Sequence, residues 1–548
     1  MIEIKDVRLS FGSQILFKEV NIMFTPGNCY GLIGANGAGK SSFLKMLAGE
    51  IECDKGEIII GRGKRLAMLH QYRQDFDSMT VLDTVFTGHE KLFKIMKDRD
   101  ALYAKENFSE EDGMAVSHLE AEFAELNGWA AESEAAILLS GLGVHESMHK
   151  RTMAELDENI KIRVLLAQAL FGNPDILLLD EPTNGLDLAS ISWLEDFLYK
   201  FENTVIVVSH DRHFLNQVCT HIGDIDFQKI MVYTGNYAFW WQASQLAQKQ
   251  QRDQKKRNDE KIFELREFIM RFSSNAAKSK QATSRKKLIE KLTLGDIPAT
   301  SRRVPYIDFK PARECGRSIL EIDRICKKIG DVEVLNNFSL NVHPGEKIAF
   351  VGPQNLCKTT LFRIIMKDQE ADSGSFKWGV TITPSWFPRD NTELFDSDMA
   401  IVDWLKQWMT NAEESNVRSF LGRMLFSGDE QLKKVSVLSG GERVRCVFAK
   451  MMQAEGNVLV MDEPTNHLDL ESITALNEAL DRFPGIILFN THDHEFVSSL
   501  ANRVIEFFPP GSSQTHIDRQ TGFEEYLANA EINALRDSMY HAHHALEL

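Results

Sequence analysis

A glycine-rich segment, residues 34–42, has the residue types and spacing of a phosphate-binding loop. It follows a short apolar run and precedes a predicted helix, an order that brings backbone N–H groups and a helix N-terminus onto an anion. Glycines at 37 and 39 leave no Cβ between backbone and phosphate, whereas Lys40 would reach the outer phosphates and Ser41 would hold Mg²⁺. A chance glycine turn is the competing interpretation, which the flanking strand and helix disfavour. The predicted nucleotide-binding residues are Gly34, Ala35, Asn36, Gly37, Ala38, Gly39, Lys40, Ser41 and Ser42.

An Asp-Glu pair follows the apolar run 176–179, which is typical of a parallel strand buried on both faces. Because the carboxyl ends of such strands carry ligand groups, we assign Asp180 to the Mg²⁺ shell and Glu181 to polarising the attacking water. His210 ends the next apolar run and is a candidate γ-phosphate contact, although a lone histidine is more often structural. Phe11 could stack on a nucleotide base or be an ordinary core residue of a hairpin. Together these residue types are suited to phosphoryl transfer from ATP to water.

The same arrangement occurs a second time in the chain. Lys358 lies 318 residues after Lys40, whereas the second Asp-Glu pair and the second histidine lie 282 residues after the first ones. Gln71 and Arg389 are also 318 residues apart. The difference between the two offsets, about 36 residues, is therefore an extra segment that lies between Gln71 and Asp180 in the first half. The second set of candidate residues is Gly352, Lys358, Thr359, Thr360, Asp462, Glu463 and His492, with Thr359 and Asp462 as its Mg²⁺ ligands and Glu463 and His492 as its weaker catalytic pair.

Composition and charge limit the class of protein. The 548 residues include 43% hydrophobic and 26% charged residues, which is ordinary for a soluble globular chain of several domains. We find no apolar run long enough to span a membrane and no signal peptide, and the seven scattered cysteines contain no CxxC pair, so we expect a cytoplasmic protein with reduced thiols. The net charge is −17, yet residues 249–303 carry a local excess of +9. A basic segment on an acidic body predicts a local anionic partner.

The motifs, in their order along the chain, resemble those of ATP-binding cassette (ABC) ATPases. The second half carries Leu-Ser-Gly-Gly-Glu at residues 438–442, and Glu-Pro-Thr-Asn-x-Leu-Asp begins at both Glu181 and Glu463. Two cassettes in one chain with a long charged linker resemble the ABC-F family, and residues 233–237 and 271–285 resemble its bacterial YbiT-like branch. The resemblance implies an α/β fold of two tandem ABC-type P-loop ATPase domains joined by an α-helical hairpin linker, with a helical arm inserted in the first domain. The predicted boundaries are 1–240 for the first domain, with the arm at about 83–143, then 241–317 for the linker and 318–548 for the second domain.

The resemblance also implies two composite ATP sites, each formed by the phosphate loop of one domain and the signature of the other. Site one contains every expected element. Its first-domain residues are Phe11, the loop 34–42, Gln71, Asp180, Glu181 and His210, with Gln71 both catalytic and a metal ligand. Its second-domain residues are Ser439, Gly440, Gly441, Glu442 and Asp469.

Site two departs from the family pattern on both of its sides. Asn355 and Cys357 stand where glycines are expected, and a loop that must approach phosphate closely tolerates their side chains poorly. Ile329 replaces the aromatic base platform, Arg389 replaces the glutamine, and the acidic residues 157–158 replace Ser-Gly. We predict a weak, largely non-hydrolysing second site. The alternative is that the backbone tolerates these changes and both sites turn over.

The linker and the arm are the parts for which the resemblance implies a ribosomal partner. An apolar seam at 262–272 and an opposing stripe at 288–292 predict an antiparallel helical hairpin with a basic tip. In the arm, amphipathic patterns at 90–96 and 116–126 flank a polar turn at 109–113. The tip would approach rRNA and the P-site tRNA, and the arm the L1 side of the ribosomal E site; a solvated hairpin and a helical insertion without a partner are the alternatives. The candidate RNA contacts are Lys278, Lys280, Arg285, Lys286 and Lys287.

The function that this resemblance implies is ATP hydrolysis coupled to E-site binding and modulation of translation elongation, by a monomer whose own two cassettes pair. Two other classes stay open at this point: an ATPase subunit of a separate membrane transporter, and a DNA-associated ABC ATPase. The basic helical linker between fused cassettes disfavours the transporter subunit. The absence of zinc motifs and of very long coiled coils in the sequence disfavours the DNA-associated class.

Overall fold

Two α/β domains follow one another along the chain, as the sequence predicted. Gln71, Lys278 and Lys280, which the sequence singled out, lie outside the described residues. The computed structural model describes all residues except 13, 71–73, 106–108, 273–283, 290–299, 301, 331, 353–354, 410–411, 467, 509–513 and 547–548.

The first domain is built on a six-stranded sheet with the order β5-β6-β7-β3-β8-β9, parallel except for the antiparallel pair β8–β9. A separate antiparallel sheet has the order β2-β1-β4. The strands are β1 (Ile2–Phe11), β2 (Gln14–Phe24), β3 (Cys29–Gly34), β4 (Lys55–Ile60), β5 (Leu66–Met68), β6 (Ile176–Asp180), β7 (Thr204–Val208), β8 (His221–Asp226) and β9 (Lys229–Thr234). The helices are α1 (Lys40–Leu47), α2 (Val81–Phe86), α3 (Glu90–Tyr103), α4 (Glu110–Glu125), α5 (Ala131–Gly141), α6 (Glu158–Leu170), α7 (Leu188–Tyr199), α8 (Arg212–Val218) and α9 (Tyr237–Phe272).

The second domain repeats this plan, with sheets ordered β14-β15-β16-β12-β17-β18 and β11-β10-β13. Its strands are β10 (Leu320–Ile329), β11 (Val332–Val342), β12 (Lys347–Val351), β13 (Ser373–Trp378), β14 (Pro384–Phe387), β15 (Val458–Asp462), β16 (Ile486–Asn490), β17 (Arg503–Phe507) and β18 (His516–Arg519). Its helices are α10 (Asn355–Ile365), α11 (Ile401–Lys406), α12 (Glu414–Arg423), α13 (Gly440–Ala454), α14 (Leu470–Arg482), α15 (His494–Leu500), α16 (Phe523–Ala528) and α17 (Ala530–Leu546).

Each central strand is covered on both of its faces. In β6, Leu177 and Leu179 pack into one hydrophobic cluster, whereas Ile176 and Leu178 pack into another on the opposite face. This explains why the sequence shows a continuous apolar run instead of an alternating one. Since β3, β6 and β7 run parallel, their carboxyl ends meet at one edge of the sheet and place three candidate segments together.

The inserted segment of the first domain contains helices α2–α5, of which α3 and α4 pack against each other. The Tyr103 hydroxyl donates to a Glu120 carboxylate oxygen at 2.5 Å, which ties the end of α3 to α4. The prediction of a turn at 109–113 was wrong in its extent, because Ser109 and Asp112 form a capping box that begins α4 at Glu110. Ser109 is therefore the N-cap that begins helix α4.

The linker begins with the 36-residue helix α9, and residues 284–289 form a further helical segment. Lys286 and Lys287 are exposed on that segment. Among the helices that the structure describes, none combines the length and the apolar content needed to cross a membrane.

Candidate functional site

The first glycine-rich loop has the backbone that phosphate binding requires. Gly37 and Gly39 have φ of 78° and 98°, in the left-handed region that favours glycine. A Cβ on Gly39 would also lie 2.8 Å from Phe17 Cζ, so no larger residue fits there. Helix α1 begins at Lys40, whose ammonium donates to the carbonyl oxygens of Gly34 at 2.7 Å and Ala35 at 3.3 Å.

Lys40 is 8% exposed, and this burial lowers the pKa of its ammonium group. Glu181, Asp469 and Glu471 oppose the shift through their negative charges. Asp469 and Glu471 belong to the second domain, so the electrostatics of the first phosphate loop depend on both domains.

Glu181 lies at the carboxyl end of β6 in an unusual backbone conformation, with φ of 50°. Its N–H donates to the Val208 carbonyl oxygen at 2.8 Å, which holds the turn against the neighbouring strand. One carboxylate oxygen accepts the His210 backbone N–H at 3.2 Å, and the other lies 3.3 Å from His210 Nε2. The predicted water-polarising carboxylate and His210, the candidate γ-phosphate contact, are therefore in contact with each other.

The titration of this pair follows from its burial. Burial raises the pKa of Glu181 to about 8, although the His210 backbone N–H and the Lys40 charge oppose the shift. Burial and the Lys40 charge lower the pKa of His210 to about 3, so its imidazole is neutral at pH 7. A carboxyl whose pKa lies near the working pH is suited to general-base chemistry.

The chemistry of Ser41 and Asp180 fits Mg²⁺. Both line the same cavity, and a hydroxyl and a carboxylate are the oxygen ligands that this ion prefers. Gln71, the third predicted ligand, lies outside the described residues. Within the described part of the chain, neither Ser41 nor Asp180 is hydrogen bonded to another side chain, so their oxygens are open to a ligand.

A cavity of about 840 Å³ at site one is lined by residues of both domains. Its wall contains residues of the first phosphate loop, the Asp-Glu pair and His210 from the first domain and residues of the signature from the second, so residues predicted for site one from both domains share one cavity. The predicted residues that line it are Asn36, Gly37, Gly39, Lys40, Ser41, Ser42, Asp180, Glu181, His210, Ser439, Gly440, Gly441 and Glu442, together with Asn355, Arg389, Glu463 and His492 from site two.

Other predicted residues lie beside the cavity without lining it. Phe11 ends β1, is 52% exposed and is not part of the wall, whereas Leu16 of the same hairpin is. Asp469 caps α14 by accepting the Ser472 N–H at 2.9 Å. The remaining predicted residues outside the wall are Gly34, Ala35 and Ala38 in site one and Gly352, Lys358, Thr359, Thr360 and Asp462 in site two.

The signature in the second domain forms the N-terminus of α13. Ser439 caps this helix, and its N–H and hydroxyl donate to one Glu442 carboxylate oxygen at 2.9 and 2.8 Å. Lys433 donates to the other oxygen at 3.0 Å. The signature thus places a capped helix N-terminus, the positive end of the helix dipole, in the wall of the cavity that the first phosphate loop also lines.

In site two, an additional helical turn replaces the end of the phosphate loop. Helix α10 begins at Asn355, three residues earlier relative to Lys358 than α1 does relative to Lys40. Asn355 and Cys357 are helical, and the Cys357 side chain is buried in a hydrophobic cluster that also contains Leu361. The sequence predicted a crowded loop, whereas in the structure Asn355 and Cys357 belong to the helix that follows the loop.

The residues of site two do not fit Mg²⁺ in the way that those of site one do. Asp462 is fully buried, and its two carboxylate oxygens accept hydrogen bonds from the Thr359 hydroxyl at 2.6 Å and the Asn490 amide at 2.7 Å. Asn490 occupies the position of Val208 in the first domain, where no such donor exists. The two predicted metal ligands of site two are therefore hydrogen bonded to each other, and Asp462 is also hydrogen bonded to Asn490.

The candidate catalytic histidine of site two, His492, also contacts side chains of its own domain. His492 Nε2 lies 2.9 and 3.1 Å from the two polar atoms of the Asn355 side-chain amide and 3.1 Å from a Glu463 oxygen. Burial raises the pKa of Glu463 to about 7 and lowers that of Lys358 to about 8, each opposed by the charge of the other. Asn355 thus contacts His492, which we predicted as one of the weaker catalytic pair of the second half.

Replacing both Asn355 and Cys357 with glycine is expected to raise nucleotide occupancy at site two. Each glycine disfavours the added helical turn by about 1 kcal/mol and removes a side chain from the phosphate path. Occupancy would be measured as nucleotides bound per chain by native mass spectrometry. Arg363→Gly, at an exposed position of the same helix, is the control for general helix weakening. Unchanged occupancy in the double variant would contradict this account of site two.

Several cavity residues had no assigned role in the sequence analysis. Thr183 and Asn184, their counterparts Thr465 and Asn466, and Arg445 all line the wall. The Thr-Asn pairs recur at the 282-residue offset, which was the signal that could have identified them. Arg445 lies one helical turn after the signature, and no spacing rule distinguished it from a surface arginine.

Comparisons with known proteins agree with this geometry. A family model described as "ABC transporter" matches residues 17–184 and again 335–466, and a second model with the same description matches 223–309. The chain is 56% identical over 542 residues to the uncharacterized ABC transporter ATP-binding protein YkpA of Bacillus subtilis, covering 98% of this chain and 100% of that protein. It is 42% identical over 533 residues to the probable ATP-binding protein YbiT of Escherichia coli O157:H7, covering 97% and 100%.

Among solved structures, the fold is similar to that of a chain titled RNase-L Inhibitor, with a TM-score of 0.59 and 18% identity over 95% of this chain and 92% of that one. A third curated relative, ABC transporter F family member 5 of Arabidopsis thaliana, is 30% identical over 524 residues, covering 92% of this chain and 74% of that protein.

Proposed function

The chain belongs to the ABC-F family of ATP-binding cassette ATPases, and from this premise we propose that it binds the ribosome in its ATP-bound form and modulates translation elongation. The observation that carries the proposal is the composite cavity, in which the first phosphate loop faces a signature from the other half of the same chain. A ligand that contacts both walls stabilises the closed pair, because only the closed state offers both sets of contacts. We also propose that the working unit is a monomer, since one chain supplies both walls.

Hydrolysis at site one follows from the placement of its groups. The loop N–H groups and Lys40 hold the phosphates, Glu181 orients and polarises a water, and His210 holds the Glu181 carboxylate in place. Mg²⁺, when held by Ser41, Asp180 and Gln71, would neutralise phosphate charge during transfer. Loss of the γ-phosphate removes the contacts that span the cavity, so the two domains can separate.

The linker supports an RNA partner. It is the basic part of an acidic chain, and Lys286 and Lys287 are exposed on its helical segment 284–289. Clustered exposed lysines gain affinity for RNA by releasing counterions from phosphates. A solved structure of similar fold, at a TM-score of 0.57, is titled as a model of ribosome-bound archaeal Pelota and ABCE1. We propose rRNA and the P-site tRNA as the linker partners, and the L1 side of the E site as the partner of the arm.

The test is co-sedimentation of the full chain with ribosomes, with membrane vesicles and with DNA. Wild-type protein and Glu181→Gln would be compared with ATP, with ADP and without nucleotide. We expect ribosome association that requires ATP and that persists in the variant. Sedimentation with vesicles or DNA in place of ribosomes would contradict the proposal and favour a transporter subunit or a DNA-associated ATPase.

A further inference from the structure

Arg302, near the end of the linker, contacts both ATPase domains at once. Its guanidinium forms an ion pair with Asp224 on β8 of the first domain and another, at 2.9 Å, with Glu471 on α14 of the second. The Trp240 ring lies under the guanidinium at 4.9 Å and donates its N–H to the other Asp224 oxygen at 3.2 Å. A single side chain therefore joins the linker, the sheet of the first domain and a helix of the second.

The three charged groups of this junction are largely removed from solvent. The side chains of Arg302, Asp224 and Glu471 are 9%, 14% and 11% exposed. Removing one partner of such a pair leaves an uncompensated charge in a buried place, so the arrangement is strongly held. A planar guanidinium presents donors in two directions, which lets it bridge two carboxylates where an ammonium could not hold both in the same geometry.

The junction lies next to site one in the chain and in space. Glu471 is in the first turn of α14, two residues after the helix cap Asp469 that we assign to site one. Three residues further along α14, the Thr474 hydroxyl accepts a hydrogen bond at 2.7 Å from Arg212, in the first turn of α8 after the His210 loop. Helix α14 is therefore fastened to the linker and to the first domain by two contacts about one helical turn apart.

The carboxylate of the second domain that corresponds to Asp224 has a different ion-pair partner. Glu506 lies at the 282-residue offset from Asp224 and pairs at 2.9 Å with Arg536 on α17 of its own domain. The counterpart of Glu471 is Ala189, which has no charge. Among the described residues, the Arg302 bridge between domains lies on the side of site one, whereas Arg536 provides a comparable ion pair within the second domain.

We propose that Arg302 is a positioning residue for ATP hydrolysis, which couples the end of the linker to site one by holding α14 against the first domain. If binding to a partner displaced the linker, the contacts of Arg302 would change, and with them the position of the second-domain wall of the cavity. This inference rests on the assignment of site one as the hydrolysing site.

The experiment is a double-mutant cycle on ATP turnover by the full chain without ribosomes. Arg302→Met and Glu471→Ala are each expected to lower kcat about fivefold with KM for ATP changed less than about twofold, because wall alignment is lost while the phosphate contacts remain. The double variant should also lose about fivefold, whereas independent effects would multiply to about 25-fold. Arg302→Lys should fall between wild type and Arg302→Met.

Arg536→Met is the control, expected to lower the melting temperature and leave kcat unchanged. If Arg302→Met does not fold, Glu471→Ala alone still tests the bridge, since it leaves the Arg302–Asp224 pair in place. Multiplicative losses, no loss in Glu471→Ala, or an equal kcat loss in Arg536→Met would overturn the proposal. Glu181→Gln in the same assay separates the two assignments. If Glu181→Gln keeps full turnover, the assignment of site one as the hydrolysing site is contradicted. If Glu181→Gln loses turnover while Arg302→Met keeps it, only the coupling through Arg302 is contradicted.

Discussion

Glu181→Gln is expected to lower ATP turnover at least about tenfold while ATP stays bound. The amide keeps the size of the side chain and leaves the phosphate loop untouched, but it cannot accept a proton from water. The contact with the His210 backbone N–H at 3.2 Å can be retained by the amide oxygen, so the closed geometry is preserved. Turnover would be measured as phosphate release, and trapped nucleotide as ATP retained after gel filtration.

Glu463→Gln is the matched control, because Glu463 occupies the equivalent position in site two. It is 3% exposed and contacts His492, which is engaged by Asn355. We expect turnover to change less than about twofold, because we predict that site two, in which residues 355–357 are helical, is largely non-hydrolysing. Comparable losses in the two variants would mean that site two hydrolyses ATP, and unchanged turnover in Glu181→Gln would remove Glu181 from its role.

Neutralising the five basic residues of the linker tip is expected to weaken ribosome binding at least about tenfold and to flatten its salt dependence. The variant replaces Lys278, Lys280, Arg285, Lys286 and Lys287 with glutamine. Each lost phosphate contact lowers the slope of log affinity against log salt by about 0.7–0.9, so five contacts would remove roughly 4 from the slope. Affinity would be measured across a salt series with the Glu181→Gln background holding the closed form.

The control for this variant removes five positive charges from the other part of the linker. Lys249, Lys255, Lys256, Arg257 and Lys261 are exposed on α9, so their replacement changes the net charge equally without altering the tip. ATP turnover without ribosomes should be the same in both variants. An unchanged salt slope in the tip variant, with folding verified, would leave the hairpin as a solvated element.

Much of the fold could be predicted because its signals are local. The buried strand at Ile176–Asp180 is visible as one continuous apolar run, and the loop at Gly37 and Gly39 requires a backbone that only glycine adopts readily. The repeat of these signals at fixed offsets then indicated two domains of the same kind. Helix ends were harder to predict, since Ser109 serves equally in a polar turn and as a cap.

The candidate site was predictable only where a motif spans a few residues. The contacts of Arg302 with Asp224 and Glu471 join three distant parts of the chain, and no local pattern marks them. Asn490 is similar, because its role as a donor to Asp462 depends on the pairing of β15 with β16. The substitutions at Asn355 and Cys357 were visible, but whether they crowd a loop or extend a helix depends on packing against the core.

The left-handed backbone at Glu181 and Glu463 has a consequence for how this protein can change. At φ of 50° and 52°, both carboxylates occupy a conformation that costs a residue with a side chain about 1 kcal/mol or more relative to glycine. Backbone strain alone would therefore favour glycine at both positions, whereas hydrolysis and the negative charge that each carboxylate places beside a buried lysine, Lys40 or Lys358, oppose that change. At site one the two pressures remain in conflict, whereas at site two the carboxylate is retained in a site that we propose is largely non-hydrolysing. Position 463 is accordingly where loss of the carboxylate should cost the least activity, and the Lys358 ammonium, which would remain buried without that charge, sets the cost in stability.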